Sequence, residues 1–364
     1  MLDQAVRRCM AKHPVRLLSF TSYVIGMTTP DRRWRETREA GERSPLMNLV
    51  TGLVGRRCAE TTVLLAALAE LLVDDDDVRG RCRQEVTSRS DRLPKWLVEP
   101  SSAQAYRAVR QRQVLSDGDE WAIGVRFIDG SELTVSIYLD HNVLSAATRI
   151  AVQRNSIDEV IANPSLHIET VANPIDESLS DARAWIARGL TMSEALPRDE
   201  SWRQCRPLIS WLIALMPDGG SIGAPGRFDL LDALGLIDGF FTCSAGAPFR
   251  DAAYRDLLVE LCDTGSGDAA RWSVTRIAHA LDDPRYDGQV PLEVAVDAPA
   301  LLRAFVPFAH AHSEVGEDLT DDAVATIDRM SLTYKRLLLD DAARGLEDDD
   351  VEQPPWLTRP DRAS

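Results

Sequence analysis

Three consecutive polar residues, Asp140-His141-Asn142, close a run of alternating apolar residues and are the first place in this chain to look for chemistry. A histidine at the end of a strand can serve as a base or a ligand, with an aspartate orienting its ring and an asparagine donating hydrogen bonds. His167 and Glu169 are candidate companions from a later segment. The competing reading is architectural. Asp140 and Asn142 would end the strand and cap a helix over about 143–152.

Other motifs are weaker once their surroundings are read. Gly219-Gly220-Ser221-Ile222-Gly223 spells G-x-S-x-G, but a nucleophile elbow needs a strand running into the serine. Here the preceding Leu208 to Met216 reads as a helix, with Pro217 and Pro225 bracketing a loop. Asp263-Thr264-Gly265-Ser266 matches the aspartic-protease D-T-G-S in a single copy, whereas that chemistry needs two aspartates sharing a proton. The glycine-rich segments lack G-K-[ST] and follow no strand, so no nucleotide cradle and no cofactor site is expected. His310 and His312 are the metal candidates, with Glu314 and Glu317 close in sequence. Residues two apart on a helix point in nearly opposite directions, so both could bind one ion only across a break after Pro307. The six cysteines are scattered without a C-x-x-C pair, which argues for reduced, buried thiols over zinc or disulfides.

The elements that would position these residues divide the chain into helical and β regions. Leu46, Met47, Leu49, Val50, Leu53 and Val54, then Leu64, Leu65, Leu68, Leu71 and Leu72, recur at helical spacing. Asp74 to Asp77 opens a further helix, where carboxylates suit the positive end of the dipole. Trp121, Ile123, Val125 and Phe127, followed by Leu133, Val135, Ile137 and Leu139 across Asp129-Gly130-Ser131, predict a hairpin with one apolar face. Keeping both sets on that face pairs Phe127 with Leu133 and Val125 with Val135 through a three-residue loop or a bulge. A third strand is expected over about 106–115. Helices return with the capping pair Ser178 and Asp181, then at 200–216, 228–241, 249–262, 273–282, 298–313 and 321–344. Asp297 should cap one and Thr320 the last, while Pro307 should kink or divide its helix.

The fold class is therefore α+β and predominantly helical, with a small antiparallel meander at about 104–140 between helical regions. The expected divisions are a basic segment 1–45, helices 46–92, the β region 93–175, a helical domain 176–346 and a disordered acidic tail 347–364. The net charge of −16 is unevenly spread, with residues 1–60 carrying +5. Arg32, Arg33, Trp34 and Arg35 form the densest basic stretch and are the candidate partner-binding residues. An acidic chain repels phosphate backbones, so nucleic acid is disfavoured and a protein, including the acidic body of this chain, is the expected partner. No apolar stretch is long enough to span a membrane without charges, which points to a cytoplasmic protein.

Glu60-Thr61-Thr62, Tyr138-Leu139-Asp140-His141-Asn142, Cys205-Arg206-Pro207-Leu208, Arg271-Trp272-Ser273 and Leu302-Arg303-Ala304-Phe305 occur in this order. In these stretches the chain resembles a family of uncharacterised proteins from high-GC bacteria, over roughly residues 45–340. The resemblance implies no activity. The expected function is that of a non-enzymatic interaction or regulatory protein built on a helical scaffold. The alternative is a hydrolase-like or small-ligand-binding protein with its polar site at the end of the hairpin.

Overall fold

A computed structural model describes residues 2–10, 13–29, 44–98, 103–163, 174–196, 200–222, 230–286 and 288–351. The chain divides into two compact units. The first comprises residues 1–113, 118–140 and 144–223. The second comprises 114–117, 141–143 and 224–364.

Among the described residues unit 1 begins with the helices α1 (Leu2–Met10), α2 (Pro14–Thr28), α3 (Pro45–Val54), α4 (Ala59–Leu71) and α5 (Asp76–Thr87). Helix α4 is buried on nearly every side, as its Leu and Ala content requires, and it is the centre of the core. Asp75 caps α5 by accepting from the Val78 N–H, so the acidic run serves the helix start. Arg89 closes the other end of this layer. Its guanidinium donates to the Leu53 and Val54 carbonyls at 3.0 and 3.2 Å and to Thr61 Oγ1 at 2.9 Å, neutralising the negative end of α3.

Five antiparallel strands follow: β1 (Ala103–Arg112), β2 (Gly118–Phe127), β3 (Glu132–Asp140), β4 (Ala146–Gln153) and β5 (Ile175–Glu177), in the order β4-β3-β2-β1-β5. Trp121, Ile123, Val125 and Phe127 share the core with Leu133, Val135, Ile137 and Leu139, as their alternation predicts. Their register differs from the expected one by two residues, with Val125 opposite Leu133 and Ile123 opposite Val135. A shift of two leaves every side chain on its face, so alternation alone cannot choose between these registers. Gly130 makes the choice. It adopts φ +83° as the last residue of a three-residue loop, a conformation glycine takes without strain.

The segment expected to be a helix at 143–152 is instead strand β4. A register irregularity beside Leu139 makes Ala147 and Ile150 successive core contacts, so their spacing of three imitates a helical period. A short helix, α6 (Ile157–Ile161), packs its Ile157 on Val109 and Ala122 at the opposite sheet face. Helices α7 (Leu179–Ala195) and α8 (Glu200–Ala214) complete the unit. Ser178 caps α7 from the Asp181 N–H as expected. Pro207 interrupts the backbone ladder of α8, and the nearby Gln204 carbonyl accepts from Ser22 Oγ of α2 at 2.5 Å. Gly26 of α2 leaves no room for a Cβ against the Arg203 and Gln204 backbone.

Unit 2 is helical: α9 (Leu230–Thr242), α10 (Ala252–Asp263), α11 (Val274–Leu281), α12 (Leu292–Ala295), α13 (Ala298–His312) and α14 (Glu317–Val351). Phe240, Trp272, Phe305, Ile277 and Leu302 lie at its core. Phe240 meets Phe305 edge-on at 5.2 Å. Pro307 does not divide α13, which runs without a break to His312. Asp297 occupies the N-cap position without a side-chain cap bond, accepting instead from the Tyr254 hydroxyl at 2.9 Å. Helix α14 starts at Glu317 rather than at Thr320. It also continues to Val351, so residues 347–351 are helical where the tail was expected. The remainder of the tail lies outside the described residues. Among the described residues no helix is long and apolar enough to cross a membrane.

Candidate functional site

Asp140 is the last residue of β3, paired in the ladder with Gly118 and Ala146. His141 to Val143 then form a 3-10 turn rather than a helix cap, and this turn packs against α11. His141 is buried, and its backbone N–H donates to the Asp117 carbonyl at 2.7 Å. The residue that organises this cluster is Asp117, in the connection between β1 and β2.

Asp117 is buried, and its Oδ1 accepts from Asn142 Nδ2 at 2.7 Å and from Ser273 Oγ at 2.6 Å. Asn142 turns its other side-chain atom to the Ser266 N–H at 3.0 Å. Ser273 is the N-cap of α11 and accepts from the Arg276 N–H at 2.9 Å. Burial raises the Asp117 pKa above the usual carboxylate range. The Ser273 and Asn142 bonds and the charges of Arg276 and His141 oppose that rise. Gly265 sits at φ +60° where a Cβ would press on Asn142 Oδ1, so glycine is required at that approach.

Arg276 ties the loop after α10 together from beneath. Its side chain is fully buried, stacks with its guanidinium carbon 4.0 Å from the Trp272 ring centre, and donates to the Cys262 and Arg271 carbonyls at 2.8 Å each. A further bond goes to the Asp268 carbonyl. Burial lowers the guanidinium pKa, while Cys262, Asp268 and Asp117 act in the opposite direction. Cys262 itself is pushed up to about 12 by burial, which keeps it a neutral thiol. Among the described residues, Ser266 Oγ and Arg276 Nε are buried atoms of this cluster left without a partner.

The sequence missed Asp117, Ser273 and Arg276. Ser273 carried a readable signal, since a serine opening an amphipathic helix is a standard cap. Asn142 and Ser273, far apart in the chain, both reach Asp117 in this one cluster.

His310 and His312 lie in different surroundings. His310 is buried, with Nε2 accepting from the Trp272 N–H at 3.0 Å and Nδ1 lying 2.9 Å from Thr320 Oγ1. That hydroxyl donates to the Gly316 carbonyl, which fixes His310 as the neutral Nδ1–H tautomer. His312 is exposed and directs Nδ1 to the Phe308 carbonyl at 2.8 Å. No cluster of three metal-ligating residues exists among the described residues.

Burial lowers the His310 pKa from 6.5 to about 4, with the Arg271 charge acting in the same sense. The unfolded chain therefore binds a proton that the fold refuses. The contribution is fully present above pH 6.5 and declines between pH 6.5 and 4, by roughly 3 kcal/mol at most. His310→Gln should flatten that part of the pH profile of unit 2, read by urea unfolding between pH 7 and 4.5. A variant profile as steep as the parent's would contradict this assignment.

Among the described residues Ser221 has no histidine as a hydrogen-bond partner. Its N–H and hydroxyl both meet Asp181 Oδ1, at 2.7 and 3.2 Å, and Gly220 lies too close to Ser180 to carry a side chain. Asp263 is the exposed last residue of α10. A cleft of about 260 Å³ in unit 1 is lined partly by Leu190 and Ile213, and Arg206 there bridges Glu194 at 2.9 Å and Asp74 at 3.1 Å. Arg32, Arg33, Trp34 and Arg35 lie outside the described residues, as do His167 and Glu169. No protein-family model, curated protein or solved structure matches this chain.

Proposed function

We propose that the chain is a cytoplasmic, non-enzymatic interaction or regulatory protein whose helices present a surface to a protein partner. The observation that carries this reading is the use made of the Asp117–Asn142–Ser273 cluster. Asp117 Oδ1, the Asn142 side-chain amide and the Ser273 hydroxyl are engaged with one another, with a helix cap and with the loop held by Arg276. A catalytic set instead keeps a base and a hydrogen-bonding group turned toward a bound molecule. Further support comes from α14, which exposes Leu332 and Leu339, seven residues apart.

The test is the native mass of the full chain isolated from its own cells under mild conditions. A second protein at fixed stoichiometry, with the 40.3 kDa chain carrying no added mass, is the expected result. A small molecule or metal ion that leaves on denaturation would overturn the reading.

A further inference from the structure

Strand β4 is an edge of the sheet, and among the described residues no other strand pairs with its outer side. Helix α7 covers its beginning. Ser193 Oγ donates to the Ala147 carbonyl at 2.8 Å, and Gly189 packs near the backbone of Ser145 and Ala147. Beyond that point Thr148, Arg149 and Ala151 are exposed, and Ile150 and Val152 are half-buried.

Sheets normally protect such an edge with proline, a bulge on the exposed stretch, very short length or several inward charges. Thr148 is the extra residue of the register irregularity, and beyond it Arg149-Ile150-Ala151-Val152-Gln153 has no proline, the β-branched Ile150 and Val152 in alternation and a single charge. Its register irregularity lies before Arg149, so the remaining ladder from Arg149 to Gln153 is regular. The opposite edge, β5, has only three residues.

We infer that β4 pairs antiparallel with β4 of a second copy of this chain, about a two-fold axis through Ile150. This inference is independent of the interaction reading above. A two-fold axis normal to the sheet sets each residue opposite one of the same face, which keeps the half-buried Ile150 and Val152 on the core side. With Ile150 facing itself, Arg149 meets Ala151 of the other copy. No like charges are then opposed. Moving the axis to Arg149 would set two guanidinium groups against each other, and a shift by one residue would carry the core-facing set to the wrong face.

The register makes a test with two signs at one exposed position. Ala151→Lys places a lysine opposite Arg149 twice, and Ala151→Glu places a carboxylate there twice. Sedimentation equilibrium of the full chain should show concentration-dependent doubling of the 40.3 kDa mass. The dissociation constant should rise about tenfold in Ala151→Lys and fall about tenfold in Ala151→Glu, from two cross-strand charge pairs. Amides of 148–153 should exchange more slowly as concentration increases. A chain that stays monomeric throughout overturns the inference. So does a dimer whose β4 amides are indifferent to concentration, or one in which both substitutions shift the constant in the same direction. Circular dichroism of both variants, expected to match the parent at this exposed site, confirms that association and not folding is being read.

Discussion

Asp119→Ala should destabilise unit 1 by about 3–5 kcal/mol, because it strands a guanidinium inside the fold. Arg110 and Asp119 are 5% and 2% exposed, and they lie on β1 and β2 next to each other in the sheet. Arg110 Nε donates to Asp119 Oδ2 at 2.8 Å, and a second donor of the same group reaches that oxygen. The guanidinium carbon lies 5.4 Å from the Trp121 ring centre and 5.2 Å from that of Trp185 on α7, so indole faces enclose the charge. Glu177, at 3.9 Å, is the other nearby carboxylate. Without Asp119 the cation has lost its close partner and cannot reach water. The double variant Arg110→Met with Asp119→Leu removes both charges and should recover most of the loss. Urea unfolding of the parent, the single and the double variant measures this. A single variant within about 1 kcal/mol of the parent would show that the pair is solvated, contrary to its burial.

Arg276→Met is the second large effect, again about 3–5 kcal/mol, and it falls on unit 2. The substituted side chain fills much of the same volume but donates nothing. Three backbone carbonyls, those of Cys262, Asp268 and Arg271, then lose a charged donor, at about 1–3 kcal/mol for each one left buried without a partner. Relief from burying the charge offsets part of that sum. Arg276→Lys should rescue little, since a single ammonium cannot span carbonyls that the planar fork reaches together. Hydrogen exchange should therefore quicken over 264–281 in both variants. Parental protection in the lysine variant would reduce Arg276 to a point charge and contradict the geometry.

How far these features were legible in the sequence depends on how local their causes are. The β2–β3 hairpin was readable because alternation over two strands admits only one face. Its exact pairing was not, because φ +83° at Gly130 distinguishes two registers that alternation leaves equal. Strand β4 was misread since an irregular ladder gave its core residues a helical spacing. Asp140, His141 and Asn142 drew attention by their types. Of their side chains, Asn142 has its partners on Asp117, 25 residues earlier, and on Ser266, 124 residues later, and no local pattern carries such separations. Buried arginines were equally invisible. Arg89 and Arg276 look like surface residues in a chain with 38 arginines, yet each holds the backbone at the end of a helix.

The central claim is that the Asp117–Asn142–Ser273 cluster is an internal support rather than a working site. Side chains held for catalysis or binding are commonly kept at some expense to stability, so replacing them is neutral or stabilising. Structural partners behave in the opposite way. The most direct measurement is native-state hydrogen exchange of the Arg276 and Ile277 amides in Asn142→Ala, Ser273→Ala and the double variant. Each single change should speed exchange about tenfold, corresponding to the loss of about 1–2 kcal/mol, and the double should cost less than the sum because both act through Asp117. Unchanged or slower exchange in Asn142→Ala would contradict the claim and return the cluster to candidacy as a functional site.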